Sequence, residues 1–318
     1  NDITITVTET TDDSSNSIVD FDFRGVGVSG KFVATSEAGT AFVYSDDGDS
    51  WTTGNLPITG DWTNIAAGNG IFVAIQSDDG TNGASNIAAS STDGINWTQR
   101  TMPSQSKWSG VVFGDGVFVA VAEDGDAGAY STDGITWTAT ELPDFGDSSF
   151  NNWVDITYGK NHFLAIANSN NVVAEGFYTN GSGITWSPHL MDVTADSSQL
   201  DWVSVAYGSG RYVALSSEGF VTHSFDGISW KDAVQMPTQD GSTQHTWYQI
   251  RYGNGQFFAV GESGSRVVGD DPTTGPSTHA ATSPNGSLWT AIDVSVEAIY
   301  KDLAFGNPYI DAEDSSVG

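Results

Sequence analysis

A run of consecutive apolar residues recurs six times along the chain, with an aromatic residue at its head. The runs read GKFVAT, GIFVAI, GVFVAV, NHFLAI, GRYVAL and GQFFAV, and their heads are Phe32, Phe72, Phe118, Phe163, Tyr212 and Phe257. Because the apolar residues are consecutive rather than alternate, each run predicts a strand with both faces buried. The heads are 40, 46, 45, 49 and 45 residues apart. A repeat of this length is typical of a propeller, a solenoid or an array.

Each repeat is predicted to contain four short strands. In the third copy these strands are predicted at residues 108–113, 117–122, 127–131 and 135–138. Gly and Asp occupy the turns at 114–116 and 132–134, where positive φ or a hydrogen bond from side chain to backbone is needed. The segments between are rich in Val, Phe, Tyr, Thr and Trp, as strands prefer. No window shows a sustained helical period.

The eleven tryptophans fall into two alternating series that follow the same repeat. One series closes a motif of the type Ser-x-Asp-Gly-x-x-Trp, at Trp51, Trp97, Trp137, Trp186, Trp230 and Trp289. The other opens the motif Trp-x-x-(Val/Ile)-x-(Tyr/Phe/Ala)-Gly, at Trp62, Trp108, Trp153, Trp202 and Trp247. A large ring at two fixed places in each repeat is how the core of a repeated sheet would be built.

These patterns predict an all-β protein, a single seven-bladed β-propeller of four-stranded antiparallel blades. The third residue of the apolar run is Ala in all six copies, which indicates close approach of a neighbouring sheet. A parallel β-helix is the alternative architecture, but its coils would not need a hairpin at every turn.

The whole chain, residues 1–318, is predicted to be one domain. Complete repeats lie at about 20–61, 62–107, 108–152, 153–201, 202–246 and 247–299, and a partial copy at 300–318 has Tyr300 in place of tryptophan. Residues 3–9 alternate apolar and polar, so we expect a strand that completes the last blade and closes the ring. A six-bladed ring with loose ends is the alternative.

The Trp-closed motifs resemble the Asp-box, or BNR repeat, of sialidase-like β-propellers. Their acidic or amide positions are Asp47, Asp93, Asp133, Asp226 and Asn285, while the fourth copy carries Gly181 there and has the longer spacing usual in that family. The side-chain oxygen can accept backbone N–H bonds across the turn, and the Gly supplies positive φ. The resemblance implies that the boxes are structural and join the third and fourth strands, away from the usual active-site face.

Composition restricts the partners. The chain has 40 Asp and Glu against 10 Lys and Arg, a net charge of −30. Such a surface repels nucleic acid and anionic membranes, so we expect neither as a partner. There is no cysteine, hence no disulfide or thiolate metal site. We find no transmembrane run and no signal peptide.

The arginines give weak support for catalysis. The sialidase resemblance implies three arginines that hold a carboxylate, but the Arg-Ile-Pro motif of that family is absent. Arg251 stands where other copies have Ala, Val or Thr, so we expect it to enter the ring or to pair with an acid. No carboxylate pair suited to glycoside hydrolysis stands out among forty acids. The five histidines are scattered and give no support for a zinc site.

Two kinds of segment are candidates for binding, namely acidic turns and insertions that lengthen a repeat. Acidic turns could offer oxygens to Ca²⁺, although none is a complete Ca²⁺ loop and solvated turns are the simpler interpretation. These turns contain Asp78, Asp79, residues 123–126, Asp270 and Asp271. Insertions at 76–90 and 262–282 lengthen the second and sixth copies, and long loops on a rigid ring often bind partners.

The sequence therefore predicts a structural or recognition module without a required cofactor, and favours a non-enzymatic role over an enzymatic one. Repeats of this degenerate type look like those of bacteriophage virion proteins and secreted bacterial surface proteins. That resemblance implies a tail, fibre or capsid-decorating protein, located in the virion or outside the cell. Its partner would be another structural protein or a surface glycan, with homo-oligomers as a further option. A secreted glycoside hydrolase and a bacterial adhesin are the alternatives.

Overall fold

A computed structural model describes most of the six complete repeats. It covers residues 18–23, 31–36, 39–46, 50–80, 83–144, 152–168, 171–193, 200–238, 245–263 and 278–293. The closing segment 3–9 and the partial seventh copy from residue 300 lie outside these ranges.

The described residues form six four-stranded sheets, each a simple meander in which neighbours pair antiparallel. The first three sheets are β1 (Ile18–Phe23), β2 (Phe32–Ser36), β3 (Ala41–Ser45), β4 (Thr52–Asn55); β5 (Asp61–Gly68), β6 (Ile71–Asp78), β7 (Ser85–Ser91), β8 (Thr98–Ser106); and β9 (Trp108–Gly114), β10 (Val117–Ala122), β11 (Ala127–Ser131), β12 (Thr138–Glu141). The last three are β13 (Trp153–Gly159), β14 (His162–Ala167), β15 (Val172–Thr179), β16 (Gly183–Leu190); β17 (Trp202–Gly208), β18 (Arg211–Ser216), β19 (Phe220–Ser224), β20 (Val234–Gln235); and β21 (His245–Gly253), β22 (Gln256–Ser263), β23 (Thr278–Ser283), β24 (Thr290–Asp293).

The sheets are the blades of a β-propeller, which confirms the predicted fold class. The first strands of consecutive blades lie side by side, β1 by β5, β5 by β9, β9 by β13, β13 by β17 and β17 by β21. These first strands are therefore the inner strands of the ring. The number of blades in the described part of the chain is six, as in the alternative prediction and not the seven that we favoured. The physical reason is that only the six complete repeats carry all four strands there.

One predicted strand was misplaced. In the third blade, β9, β10 and β11 lie where the sequence predicts them, but the fourth strand begins at Thr138 and not at residue 135. The backbone N–H groups of Ile135 and Thr136 donate to Asp133 Oδ1 at 2.8 and 2.7 Å. These residues belong to the turn because their donors are used there and not in the strand ladder.

The core is divided between the blades. Five apolar clusters of the described residues each combine side chains from two consecutive blades. The tryptophans that open the inner strands are the largest fully buried side chains, at 0–1 % exposure. Because each blade alone leaves an apolar face uncovered, the stability of a blade depends on its neighbours. No helix among the described residues is long and apolar enough to cross a membrane.

An aromatic residue and a glycine interlock between consecutive inner strands. A β-carbon built on Gly114 would lie 2.1 Å from Cγ of Tyr158 in the next blade. The same contact recurs three more times, between Gly68 and Phe113, Gly159 and Tyr207, and Gly208 and Tyr252. The (Tyr/Phe)-Gly end of the second motif is thus explained by packing between blades, since each ring needs a glycine in the blade before it.

Candidate functional site

The Ser-x-Asp-Gly turns close on themselves through their own side chains. In the third blade, Asp133 Oδ1 accepts the two backbone bonds given above and the Ser131 hydroxyl at 3.0 Å, while Gly134 N–H donates to Ser131 Oγ at 2.9 Å. The turns around Asp93, Asp226 and Asn285 repeat this pattern. The Oδ1 atom of each of these box residues is therefore engaged within the turn.

Electrostatics agrees with this arrangement. Burial alone would raise the pKa of Asp226, but bonds donated by Ser229, Ile228 and Ser224 outweigh it and lower the pKa to about 2. The pKa values of Asp93 and Asp133 are lowered for the same reason. The carboxylates are thus held ionised as hydrogen-bond acceptors.

Each Ser-x-Asp-Gly turn packs on the preceding blade. Gly134, at φ +66, would place a β-carbon 2.9 Å from Cγ2 of Ile71 and 3.0 Å from Cγ2 of Val73 in the second blade. Gly94, Gly227 and Gly286 meet the corresponding second strands of their own preceding blades. The closing tryptophans pack nearby: Trp51 faces Phe32, Trp97 contacts Phe42 and Phe72, and Trp289 faces Phe257. Trp137, Trp186 and Trp230 lie in or against the clusters between blades. Asp47 lies outside the described residues.

The inner strands are connected by buried polar side chains at the third position of the second motif. Asn64 Oδ1 accepts Val111 N–H of the next blade at 3.0 Å. Asp155 Oδ2 accepts Val205 N–H at 2.9 Å and the Ser204 hydroxyl at 2.7 Å. These bonds fix the register of one inner strand against the next, because each uses a backbone donor that the ladder leaves free.

Gly110 has no side chain with which to continue this series. The N–H of Ile156, which would otherwise bond to it, donates instead to Asp155 Oδ1 of its own strand at 2.8 Å. Asp155 therefore serves two neighbouring inner strands with its two oxygens.

Arg251 joins this network from two blades away. Its Nη1 lies 3.3 Å from Asp155 Oδ2, 3.3 Å from Ser204 Oγ and 3.1 Å from Ile250 O. The side chain of Asp155 is 7 % exposed and that of Arg251 23 %. Arg251, which departs from the repeat, is thus paired with Asp155, an acid that the sequence pattern does not single out.

A second polar cluster lies between the fourth and fifth blades. His162 Nε2 is 2.8 Å from the Tyr212 hydroxyl, which donates to Gly159 O, and 3.5 Å from Glu175 Oε1. His189 Nε2 is 3.5 Å from the other oxygen of Glu175. Glu175 is the counter-ion of either ring when that ring is protonated.

The acidic turns proposed for Ca²⁺ are engaged with the backbone. Asp78 Oδ1 accepts Gly80 N–H at 2.7 Å, and Asp124 Oδ1 accepts Lys107 N–H at 2.9 Å. Asp79 directly follows Asp78, and Asp270 and Asp271 lie outside the described residues. Within the described ranges, no group of three or more His, Asp or Glu side chains is placed to hold a metal ion.

One face of the propeller carries most of the exposed apolar side chains. In a meander, the turn between the first two strands and the turn between the last two lie at the same edge of the blade. We name this edge of the described blades the turn face; it contains residues 69–70, 115–116, 160–161, 209–210, 254–255, 91–97, 131–137, 224–230 and 283–289. Of eight exposed large apolar residues in the described part, five lie in the Ser-x-Asp-Gly turns, namely Ile95, Ile135, Phe225, Ile228 and Leu288.

Several of these residues could have been found from sequence. The third position of the second motif reads Asn64, Gly110, Asp155, Ser204 and Gln249, and four polar residues at one place in a buried strand indicate a repeated hydrogen bond. Arg211 and Phe225 gave no such signal, because their proximity depends on the pairing of β18 with β19.

The six blades around inner strands define a β-propeller. No protein-family model matches the sequence, and no curated protein matches it.

Solved structures share the fold at low identity. Virginiamycin B lyase from Staphylococcus aureus is 14 % identical, with a TM-score of 0.66 over 90 % of this chain and 87 % of that chain. A streptogramin B lyase is 14 % identical, with a TM-score of 0.70 over 94 % and 89 %. YCF48 bound to a D1 peptide is 13 % identical, with a TM-score of 0.59 over 88 % and 81 %. At this identity the likeness shows the fold alone.

Proposed function

We propose that this protein is a non-catalytic β-propeller that recognises another protein through its turn face. The observation that carries the proposal is the position of the exposed apolar residues. Five of the eight lie in four Ser-x-Asp-Gly turns, and a sixth, Phe177, lies close to the matching hairpin of the fourth blade. On a chain with a net charge of −30, apolar side chains collected on one face are typical of a surface that a protein partner covers.

Two sets of polar groups that the sequence marks as candidates for another activity are used within the fold. Arg251 and Asp155 hold each other between inner strands, and the box carboxylates cap their own turns. Related propellers give support at the level of fold: YCF48 is described bound to a D1 peptide, and a nidogen structure as a complex with laminin.

We also propose a setting for this recognition. We interpret the Ser-x-Asp-Gly turns as degenerate Asp-boxes, and from their resemblance to phage and bacterial surface repeats we propose that the protein acts in a virion or outside the cell. Its partner is then another structural protein. A surface glycan, an adhesin role and a carbohydrate-active enzyme are the other outcomes that experiments must separate.

The functional test compares substitutions on and off the turn face. Partners are captured from the source culture and its particle fraction, identified by mass spectrometry, purified and titrated against the protein. The double variant Ile135→Asp and Ile228→Asp should weaken binding by about tenfold or more. Leu190→Asp is the matched control, because Leu190 is exposed but lies on the outer strand β16. Equal loss in both variants would count against the turn face.

Two further assays separate the other outcomes. Turnover of a panel of chromogenic glycosides would contradict a non-catalytic role. Binding on a glycan array that survives the turn-face substitutions would favour the glycan alternative.

A further inference from the structure

Three blades carry a cationic or ionisable basic residue at the same repeat position, the first residue of the second strand or the residue before it. These are Lys31, His162 and Arg211, and the other three blades have Ile71, Val117 and Gln256 there. The position borders the turn face and packs beside the next blade. The three blades can therefore be compared as internal copies of one arrangement.

In the first and fourth blades this residue has a carboxylate and an aromatic ring that lie on, or directly after, the third strand of its own blade. Lys31 Nζ lies 2.5 Å from Asp46 Oδ1 and 5.3 Å from the centre of the Tyr44 ring. His162 lies 3.5 Å from Glu175 Oε1, and its ring centre is 5.5 Å from that of Phe177. Strand pairing shows that these partners occupy two fixed positions, because Val33 pairs with Tyr44 as Leu164 pairs with Glu175.

In the fifth blade the same two positions hold His223 and Phe225. Val213 pairs with His223, which makes His223 the counterpart of Tyr44 and Glu175. Phe225 is then the counterpart of Asp46 and Phe177. The Arg211 guanidinium lies over the Phe225 ring, with Cζ 4.6 Å from its centre. The fifth blade thus keeps the aromatic contact and lacks the carboxylate.

Nothing in the described part of the chain supplies that carboxylate to Arg211. Its Nε is buried and has no hydrogen-bond partner, and no described acid pairs with it. The nearby Asp226 carboxylate accepts N–H bonds from Ile228 and Ser229. His223 adds no negative charge, and burial, Arg211 and Lys231 lower its pKa.

A partly buried guanidinium without a counter-ion among the described residues is unusual in a protein with 40 Asp and Glu and 10 Lys and Arg. We propose that Arg211 receives a carboxylate from an acidic segment of a protein partner, which takes the role that Asp46 and Glu175 have in the first and fourth blades. Because Nε is buried, the two Nη groups would bind this carboxylate, and the planar guanidinium allows them to form two parallel hydrogen bonds.

The surroundings favour a protein segment over an acidic sugar. Phe225 and Ile228 are exposed at 50 % and 40 %, and Leu288 of the adjoining turn at 72 %. That adjoining turn lies beside Arg211, since a β-carbon on Gly286 would be 3.5 Å from Arg211 Cδ. The site therefore offers one cation between apolar side chains, which matches an Asp or Glu flanked by apolar residues. This inference rests on the proposed recognition of a protein through the turn face.

The test follows the arginine Nε–H resonances by NMR during titration with two peptides. The probes are acetyl-Phe-Asp-Leu-amide and its Asn counterpart, acetyl-Phe-Asn-Leu-amide. In titrations up to about 10 mM peptide, the Asp peptide should shift the Arg211 resonance. Its dissociation constant should be about tenfold lower than that of the Asn peptide. Arg211→Gln should abolish the difference. Arg100→Gln is the matched control, because Arg100 Nε already donates to Ser90 Oγ at 2.8 Å.

A second variant keeps the proposal testable if Arg211→Gln fails to fold. His223→Glu places a carboxylate where the fourth blade has Glu175. Because this carboxylate would pair with Arg211, the variant should have a higher melting temperature and bind the Asp peptide about tenfold more weakly. Equal affinity for both peptides, or no shift of the Arg211 resonance, would overturn the proposal. Tighter binding of free glucuronate than of the Asp peptide would overturn the protein source in favour of an acidic glycan.

The two proposals fail in different ways. If a captured partner is sensitive to the Ile135→Asp and Ile228→Asp pair but not to Arg211→Gln, the turn face stands and the carboxylate site is wrong. If neither the Ile135→Asp and Ile228→Asp pair nor Arg211→Gln weakens partner binding, the proposed function itself is wrong.

Discussion

The ring of Tyr158 occupies the space that a side chain at Gly114 of the preceding blade would fill. A β-carbon there would lie 2.1 Å from Tyr158 Cγ and 2.3 Å from Cδ2. Because the other ring-and-glycine pairs have the same geometry, the spacing between inner strands depends on a contact that neither blade can make alone. One dipeptide of the repeat therefore supplies both halves of the contact between consecutive inner strands.

Gly114→Ala should therefore destabilise the fold by about 1–3 kcal/mol, the usual cost of inserting a methyl group into a packed site. Chemical unfolding measures this loss. The control is the same change in a Tyr158→Ala background, where the space is open and the additional cost should fall to about 0.5 kcal/mol or less. Equal costs in the two backgrounds would show that the ring does not set the spacing.

A polar contact between inner strands gives the next prediction. Asp155→Ala leaves the Arg251 guanidinium and the N–H groups of Ile156 and Val205 without this acceptor, so we expect a loss of about 3–5 kcal/mol. Asn64→Ala at the same repeat position removes one bond, to Val111 N–H, and should cost only about 1 kcal/mol. If urea unfolding gives similar losses of unfolding free energy in the two variants, Asp155 contributes no more to stability than Asn64 does.

The sequence is sufficient for the repeats but not for the contacts between them. Consecutive apolar residues and two tryptophan series predict the strands and the propeller, because both are local patterns. The pairing of Arg251 with Asp155 spans 96 residues and depends on the curvature of the ring. The Arg211 and Phe225 contact depends on the register of β18 and β19. The late start of β12 depends on the Asp133 carboxylate, because it accepts the hydrogen bonds of N–H groups that the sequence pattern assigns to a strand ladder.

The amide at Asn285 predicts which box substitutions are tolerated. Asn285 Oδ1 accepts Ser287 N–H at 3.0 Å and Leu288 N–H at 3.1 Å, as Asp133 Oδ1 does with its own turn. Asp133→Asn should therefore change the free energy of unfolding by about 0.5 kcal/mol or less, whereas Asp133→Ala should cost about 1–2 kcal/mol because the acceptor is lost. If Asn is as damaging as Ala, charge and not hydrogen bonding maintains the turn.

The box carboxylates also set the response to acid. The pKa of Asp226 is lowered to about 2 in the folded protein, while in the unfolded chain it is about 3.9. A lowered pKa stabilises the folded state above the unfolded value, and this contribution is lost as the pH falls from about 4 through about 2. Unfolding between these pH values should take up a proton at Asp226, so Asp226→Asn should flatten the acid limb of the stability curve. Identical curves for Asp226→Asn and the unmodified protein would show that the Asp226 carboxylate is not stabilised by its turn.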